Sequence, residues 1–128
     1  MQLRLDHLLT DLRDRTEEIL AAIDADELLV KRQSGDLILA NASKALFTPQ
    51  LQHHLYAKGI VYRRDPYRLV SLPLIKIYNV GEKSVTVDDL AALNVGGVRA
   101  RFLRKFDGCL VQAFRADGRT RFTTRGMI

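Results

Sequence analysis

One cysteine, Cys109, stands in 128 residues. No internal disulfide can form and no metal cluster can be built from cysteine, so disulfide-stapled folds are excluded and a reducing, cytoplasmic setting is the expectation. No apolar run approaches the roughly 20 residues of a membrane-spanning helix. The N-terminal MQLRLDHLLTDLRDRTEEIL mixes charges among its leucines, unlike a secretory signal. Internal repeats and low-complexity linkers are missing. Gly96-Gly97 lacks the G-x-x-x-x-G-K-[ST] surroundings of a phosphate loop.

What is present is ordinary for a globular chain: 47% hydrophobic and 27% charged residues, which argues against disorder and suits one domain or part of one. The net charge of +5 is unevenly spread. Residues 1–50 hold six Lys/Arg against nine Asp/Glu, or −3, and residues 51–128 hold fourteen against six, or +8. The basic half therefore reads as the side that meets phosphate, from a nucleotide or a nucleic acid; a merely solvated surface is the alternative.

Leu5, Leu8, Leu9, Leu12, Ile19, Leu20 and Ile23 recur at helical spacing, which predicts one amphipathic helix over 3–23 with a core face. ELLVKRQSGDLILA reads as a hairpin around Ser34-Gly35. Pro49 interrupts the next segment, and a short helix can follow it. KGIVYRR and YRLVSLPLIKIYN read as strands flanking a turn at Asp65-Pro66. TVDDLAALN reads as a short helix ended by Gly96-Gly97, and VRARFLRKF as a strand. The clearest element is CLVQAFRADGRTRFTTRG, where Asp117-Gly118 is the two-residue turn of a hairpin. A helix followed by mostly antiparallel strands predicts an α+β domain.

That turn sets a register. Ala116 faces Arg119, Phe114 faces Arg121, Gln112 faces Thr123 and Leu110 faces Arg125, all on one side of the hairpin. The other side carries Val111, Ala113, Phe122 and Thr124, the more apolar set, and is expected to pack on the core. A slip of one residue would invert the faces. In this register TTRG folds back beside KFDG, so Lys105 and Arg125 flank one small volume.

YAKGIVYRRDPYRLVSLPLIKIYNVGE, followed by RKFDGCLVQAF and then TTRG, resembles the N-terminal part of ATP-dependent RNA ligases of the phage T4 RNA ligase 1-like type. That family has an R-G-apolar strand, an apolar strand leading to K-F-F-N-x-x-E, the nucleophile motif K-x-D-G, and a strand ending in a basic residue and glycine. The resemblance covers about residues 25–128. It implies a partial nucleotidyltransferase domain with an ATP-grasp-like ligase fold, with ATP and Mg2+ as cofactors and RNA ends as partners. Lys105 is then the nucleophile that becomes adenylylated, and Asp107 and Gly108 shape the turn presenting it. Lys76 and Lys58 contact the triphosphate, and Arg125 lies near the ribose or phosphate. Glu82 matches the acidic residue after K-F-F-N, with no role assigned.

The implied chemistry suits these residue types. A lysine attacks phosphorus only as a neutral amine, so desolvation or neighbouring cations such as Arg104 and Arg125 must favour that form. The attack gives a phosphoramidate and pyrophosphate, and AMP then passes to an RNA 5′-phosphate before a 3′-hydroxyl displaces it.

The sequence also departs from the family. Arg104 replaces a common glutamate, Cys109 a common serine, and IYN the usual FFN. The family's later metal-binding strand, adenine-stacking aromatic and lysine pair have no counterpart before Ile128. The expectation is an N-terminal piece that does not complete an adenylylation cycle alone, with an exposed sheet edge near its end. A second chain or a C-terminal region is then the partner that completes the fold. A catalytically silent nucleotide- or RNA-binding module is the first alternative, and a basic structural domain with an accidental K-x-D-G the second. No metal ligand is expected. His53 and His54 are adjacent, adjacent side chains diverge, and no third ligand is near in sequence. Cys109 has no catalytic histidine motif beside it and is expected to pack in a strand.

Overall fold

The computed structural model describes residues 2–43, 51–74, 104 and 107–128, with side chains from residue 7 onward. Two helices, α1 (Gln2–Asp14) and α2 (Thr16–Ala25), precede strands β1 (Leu29–Ser34) and β2 (Leu37–Ala42). A 3₁₀ turn at Gln52–Leu55 leads into β3 (Lys58–Arg63) and β4 (Arg68–Ser71), and β5 (Val111–Ala116) and β6 (Arg119–Thr124) form the last hairpin. The fold is α+β, and among the described residues every strand pairing is antiparallel. Among the described residues, no helix is long and apolar enough to cross a membrane.

The single N-terminal helix expected from periodicity is in fact two. Arg15 leaves helical geometry at φ −125° and ψ 33°. The Thr16 hydroxyl donates to the Leu12 carbonyl at 2.6 Å, a back-bond that bends helices. The bend still leaves both apolar faces on one core. Leu12 from α1 and Ile19, Leu20 and Ile23 from α2 are all buried, each contributing about 1.5–3 kcal/mol by leaving water. Leu9 is exposed, and the side chain of Leu5 lies outside the described set.

The first sheet runs β1-β2-β3-β4, and its middle strands are covered on both sides. Ile38, Ala40, Ala42, Ile60 and Tyr62 join the helices in one cluster. Leu37, Leu39 and Val61 face the opposite way and pack against Phe114 and Ala116 of the β5–β6 hairpin. The order of layers is therefore helices, four-stranded sheet, hairpin. This explains why Leu37-Ile38-Leu39-Ala40 is a continuous buried run rather than an alternating one. The β1–β2 turn is Gly35-Asp36, since Ser34 pairs with Leu37. It falls one residue later than Ser34-Gly35 because Gly35, at φ +62°, takes the first central position. Asp65-Pro66, a cis peptide, sits in the β3–β4 turn where a turn was expected.

Asp24 joins the helical layer to the β3–β4 end of the sheet. It accepts from both Arg64 Nε and Nη2 at 2.7 Å, from Tyr62 Oη at 2.6 Å and from Tyr67 Oη at 3.0 Å. The Arg64 guanidinium, against the opposing effect of burial and with help from the two tyrosines, lowers the Asp24 carboxyl to about 2.

The hairpin has the expected register but the opposite faces. Gln112↔Thr123, Phe114↔Arg121 and Ala116↔Arg119 pair, and Asp117 and Gly118 both take positive φ, as the turn requires. Yet Phe114, Ala116 and Thr123 are buried, whereas Phe122 is 66% exposed and Val111 55%. The side counted as more apolar thus faces outward. Packing follows the partner surface: Leu37, Leu39 and Val61 accept one large ring and one small side chain. Two polar contacts also join the hairpin to the sheet, Gln112 Nε2 to Ser71 Oγ and, from the turn, Arg63 Nη2 to Asp117 Oδ1.

Candidate functional site

A cleft of about 630 Å³ opens where β3, the end of β4 and the hairpin's open end meet, with Lys58, Gly59, Leu74, Gly108, Leu110 and Arg125 on its walls. Its volume lies in the range of small-molecule sites, about 300–1,000 Å³. Backbone irregularities build it. Ala40 pairs with Ile60 but Asn41 pairs with Lys58, which leaves Gly59 as an extra residue in β3. Gly59 has φ +109°, a conformation that side-chain-bearing residues rarely adopt. Such a bulge re-aims the neighbouring side chain, here Lys58.

Arg125 is brought in by a second irregularity. The ladder ends at Val111↔Thr124, so the expected Leu110–Arg125 pair does not form. The chain turns there because the Thr124 N–H donates to the Met127 carbonyl at 2.9 Å and the Thr123 hydroxyl donates to the same oxygen. The turn seats the Arg125 backbone over Gly59: a Cβ on Gly59 would lie 3.6 Å from Arg125 Cα. Arg125 Nε then donates to Asn41 Oδ1 at 2.9 Å. Asn41, paired across the bulge with Lys58, thus fixes one side of the guanidinium beside the cleft.

Of the residues singled out in the sequence, Lys58, Gly108 and Arg125 line this one cleft. Asp107 is exposed and precedes Gly108 at its edge. Lys76, Glu82 and Lys105 lie outside the described residues, as do the helix expected over 86–94, Gly96-Gly97 and most of the strand expected over 98–106. Cys109 is exposed on the cleft wall instead of packed in a strand. Asn41 went unnoticed in the sequence, where an asparagine in ANAS carries no signal; only the bulge pairing gives it a role.

The histidine pair corrects the sequence reading. His53 Nε2 and His54 Nε2 both reach Asp26 Oδ2, at 2.7 and 2.6 Å. Adjacent Cβ atoms diverge, but each imidazole carries Nε2 far from its backbone, and the two rings meet edge to face with centroids 4.6 Å apart. Burial would raise the Asp26 carboxyl, but hydrogen bonds from both histidines and from the Leu28 N–H outweigh it and hold it at about 2. The third partner is close in space and 27 residues away in the chain, which is why spacing could not reveal it.

Comparison of the chain with protein-family models, with curated proteins and with solved structures finds no match.

Proposed function

We propose that this chain carries the nucleotide-binding part of an ATP-dependent nucleotidyltransferase of the RNA ligase type, with Lys105 as the nucleophile. The observation that supports it is the convergence of Lys58, Gly108 and Arg125 on one cleft. They come from three separate stretches, Lys58 and Arg125 picked out in the sequence for nucleotide contact and Gly108 for the turn that presents Lys105. Leu74 and Leu110 give the same cleft an apolar wall. A ligand with a flat base and an anionic tail suits such a wall with two cations beside it.

In this reading Lys58 and Arg125 neutralise the phosphates, and Asn41 holds the Arg125 guanidinium in place for them. The neutral Lys105 amine attacks the α-phosphorus. A P–N bond forms, the bond to the β-phosphate oxygen breaks, and pyrophosphate leaves with that electron pair, its charge met by the cations, while the nitrogen's surplus proton passes to solvent. AMP then passes to an RNA 5′-phosphate, and a 3′-hydroxyl displaces it. None of the described residues lining the cleft is a carboxylate. The described residues of this wall therefore offer no ligand set for Mg2+, and no step is assigned to it.

Label transfer from α-labelled ATP tests the nucleophile. Lys105→Ala should abolish label that survives denaturation, and equal labelling of wild type and variant sinks the assignment. The carboxylate-free wall among the described residues favours one second reading, a catalytically silent nucleotide- or RNA-binding module. That reading predicts saturable ATP binding with no covalent label in either protein.

A further inference from the structure

We infer that Asp26, His53 and His54 form a binding site for one transition-metal dication, of which Zn2+ is the best match. The inference is independent of the nucleotide cleft. The donor atoms are two imidazole nitrogens and one carboxylate oxygen, all within 4.8 Å of one another. Two histidines and a carboxylate are a recurrent ligand set for zinc, leaving one position for water. Their side chains are 15%, 0% and 11% exposed for His53, His54 and Asp26. The site is thus shielded, with His53 the most open of the three.

The two separations between histidine nitrogen and carboxylate oxygen need a small change. Tetrahedral bonds of about 2.0–2.1 Å set ligand atoms about 3.3 Å apart. The present Nε2–Oδ2 separations of 2.7 and 2.6 Å must therefore open by roughly 0.6–0.7 Å. The other carboxylate oxygen of Asp26, Oδ1, accepts the Leu28 N–H at 2.8 Å, and the Asp26 carbonyl accepts from Lys31 Nζ at 2.5 Å. Such outer contacts orient a ligating carboxylate.

Without an ion, the carboxylate accepts from both rings, so each Nε2 carries its proton. Loading moves those protons to Nδ1 and frees both Nε2 lone pairs for the metal. The cost falls on the Leu51 N–H, which donates to His54 Nδ1 at 3.3 Å, a long and weak bond. Once loaded, the ion ties the end of α2 to the 3₁₀ turn that feeds β3. Binding to the folded state alone also raises stability by mass action.

Zinc titration of untagged, chelator-stripped protein tests the site. A Cys109→Ser background removes the exposed thiol as a competing ligand. One equivalent should bind, raise Tm by several degrees and resist displacement by Mg2+ or Ca2+, which prefer oxygen ligands. Co2+ in its place should show the visible absorption of a four-coordinate site. His53→Gln keeps an N–H donor for Asp26 and the fold, and should weaken zinc binding at least tenfold. Equal zinc affinity in wild type and His53→Gln, or no binding at millimolar zinc, overturns the site. Loss of the fold in His54→Ala does not touch this comparison, because His53→Gln carries it.

Discussion

Phe114 and Phe122 stand on adjacent strands of one hairpin, and replacing each by alanine asks which face of the hairpin holds it to the sheet. Phe114 is 8% exposed and packs on Leu37, Leu39 and Val61, whereas Phe122 is 66% exposed. Removing a buried phenylalanine costs about 3–5 kcal/mol, made up of the transfer term and the cavity left behind. Phe114 sits in the smaller of the two clusters, where neighbours relax more easily, so about 3 kcal/mol is expected. Phe122 keeps only about a third of its surface from water, and its loss should cost about 1 kcal/mol or less. Urea denaturation at pH 7 and 25 °C reads both values. In a thermal melt the pair should separate by roughly 10 °C, at about 4 °C per kcal/mol for a chain of this size. The side chosen by counting apolar residues predicts the reverse order. Equal losses, or a larger loss for Phe122→Ala, would refute the three-layer packing and with it the placement of Gly108 and Arg125 beside Lys58.

Other outcomes follow from single contacts. Asp24→Asn should cost about 1–2 kcal/mol at pH 7: a fall from 3.8 to about 2 is worth roughly 2 kcal/mol, trimmed by the 44% exposure of Arg64. Because folding lowers this carboxyl, its contribution is full above about pH 4 and fades towards pH 2. The wild-type advantage over Asp24→Asn should shrink across that window in urea melts, and an advantage unchanged at pH 2 contradicts the assignment. Gly59→Ala forces a side chain into φ +109° and should cost about 1–3 kcal/mol in the same assay; a neutral result means the bulge is not needed. Asn41→Ala should weaken ATP binding several-fold with little change in Tm, and Asn41→Asp, which keeps an acceptor for Arg125, should restore most of it.

Local chemistry made much of the fold readable. Asp117-Gly118 fixed the last hairpin's register because only a two-residue turn with positive φ joins those strands, and that register holds pair by pair through β5 and β6. The Leu12–Ile23 stripe marked the helical layer, but not its break, since Thr16 back-bonding to Leu12 is one hydroxyl's choice inside a continuous pattern. The hairpin's faces were not readable from its own residues. Val111, Ala113 and Phe122 outnumber Phe114 and Ala116 in apolar character, and the decision lies in Leu37, Leu39 and Val61 on other strands. The cleft divides in the same way. Lys58, Gly108 and Arg125 could be picked out from sequence patterns, while Asn41 and the Asp26–His53–His54 cluster depend on pairings far apart in the chain.

Equilibrium titration with ATP and Mg2+, followed by melting temperature and by direct binding, tests the central claim most directly. Wild type should bind saturably and melt higher with ATP. Arg125→Ala and Lys58→Ala should each weaken binding about tenfold or more, the scale of losing one hydrogen bond to a charged group, while their ligand-free melting temperatures stay close to wild type. No stabilisation of wild type by ATP, or binding indifferent to both cations, would contradict the assignment of the Lys58–Gly108–Arg125 cleft to a nucleotide.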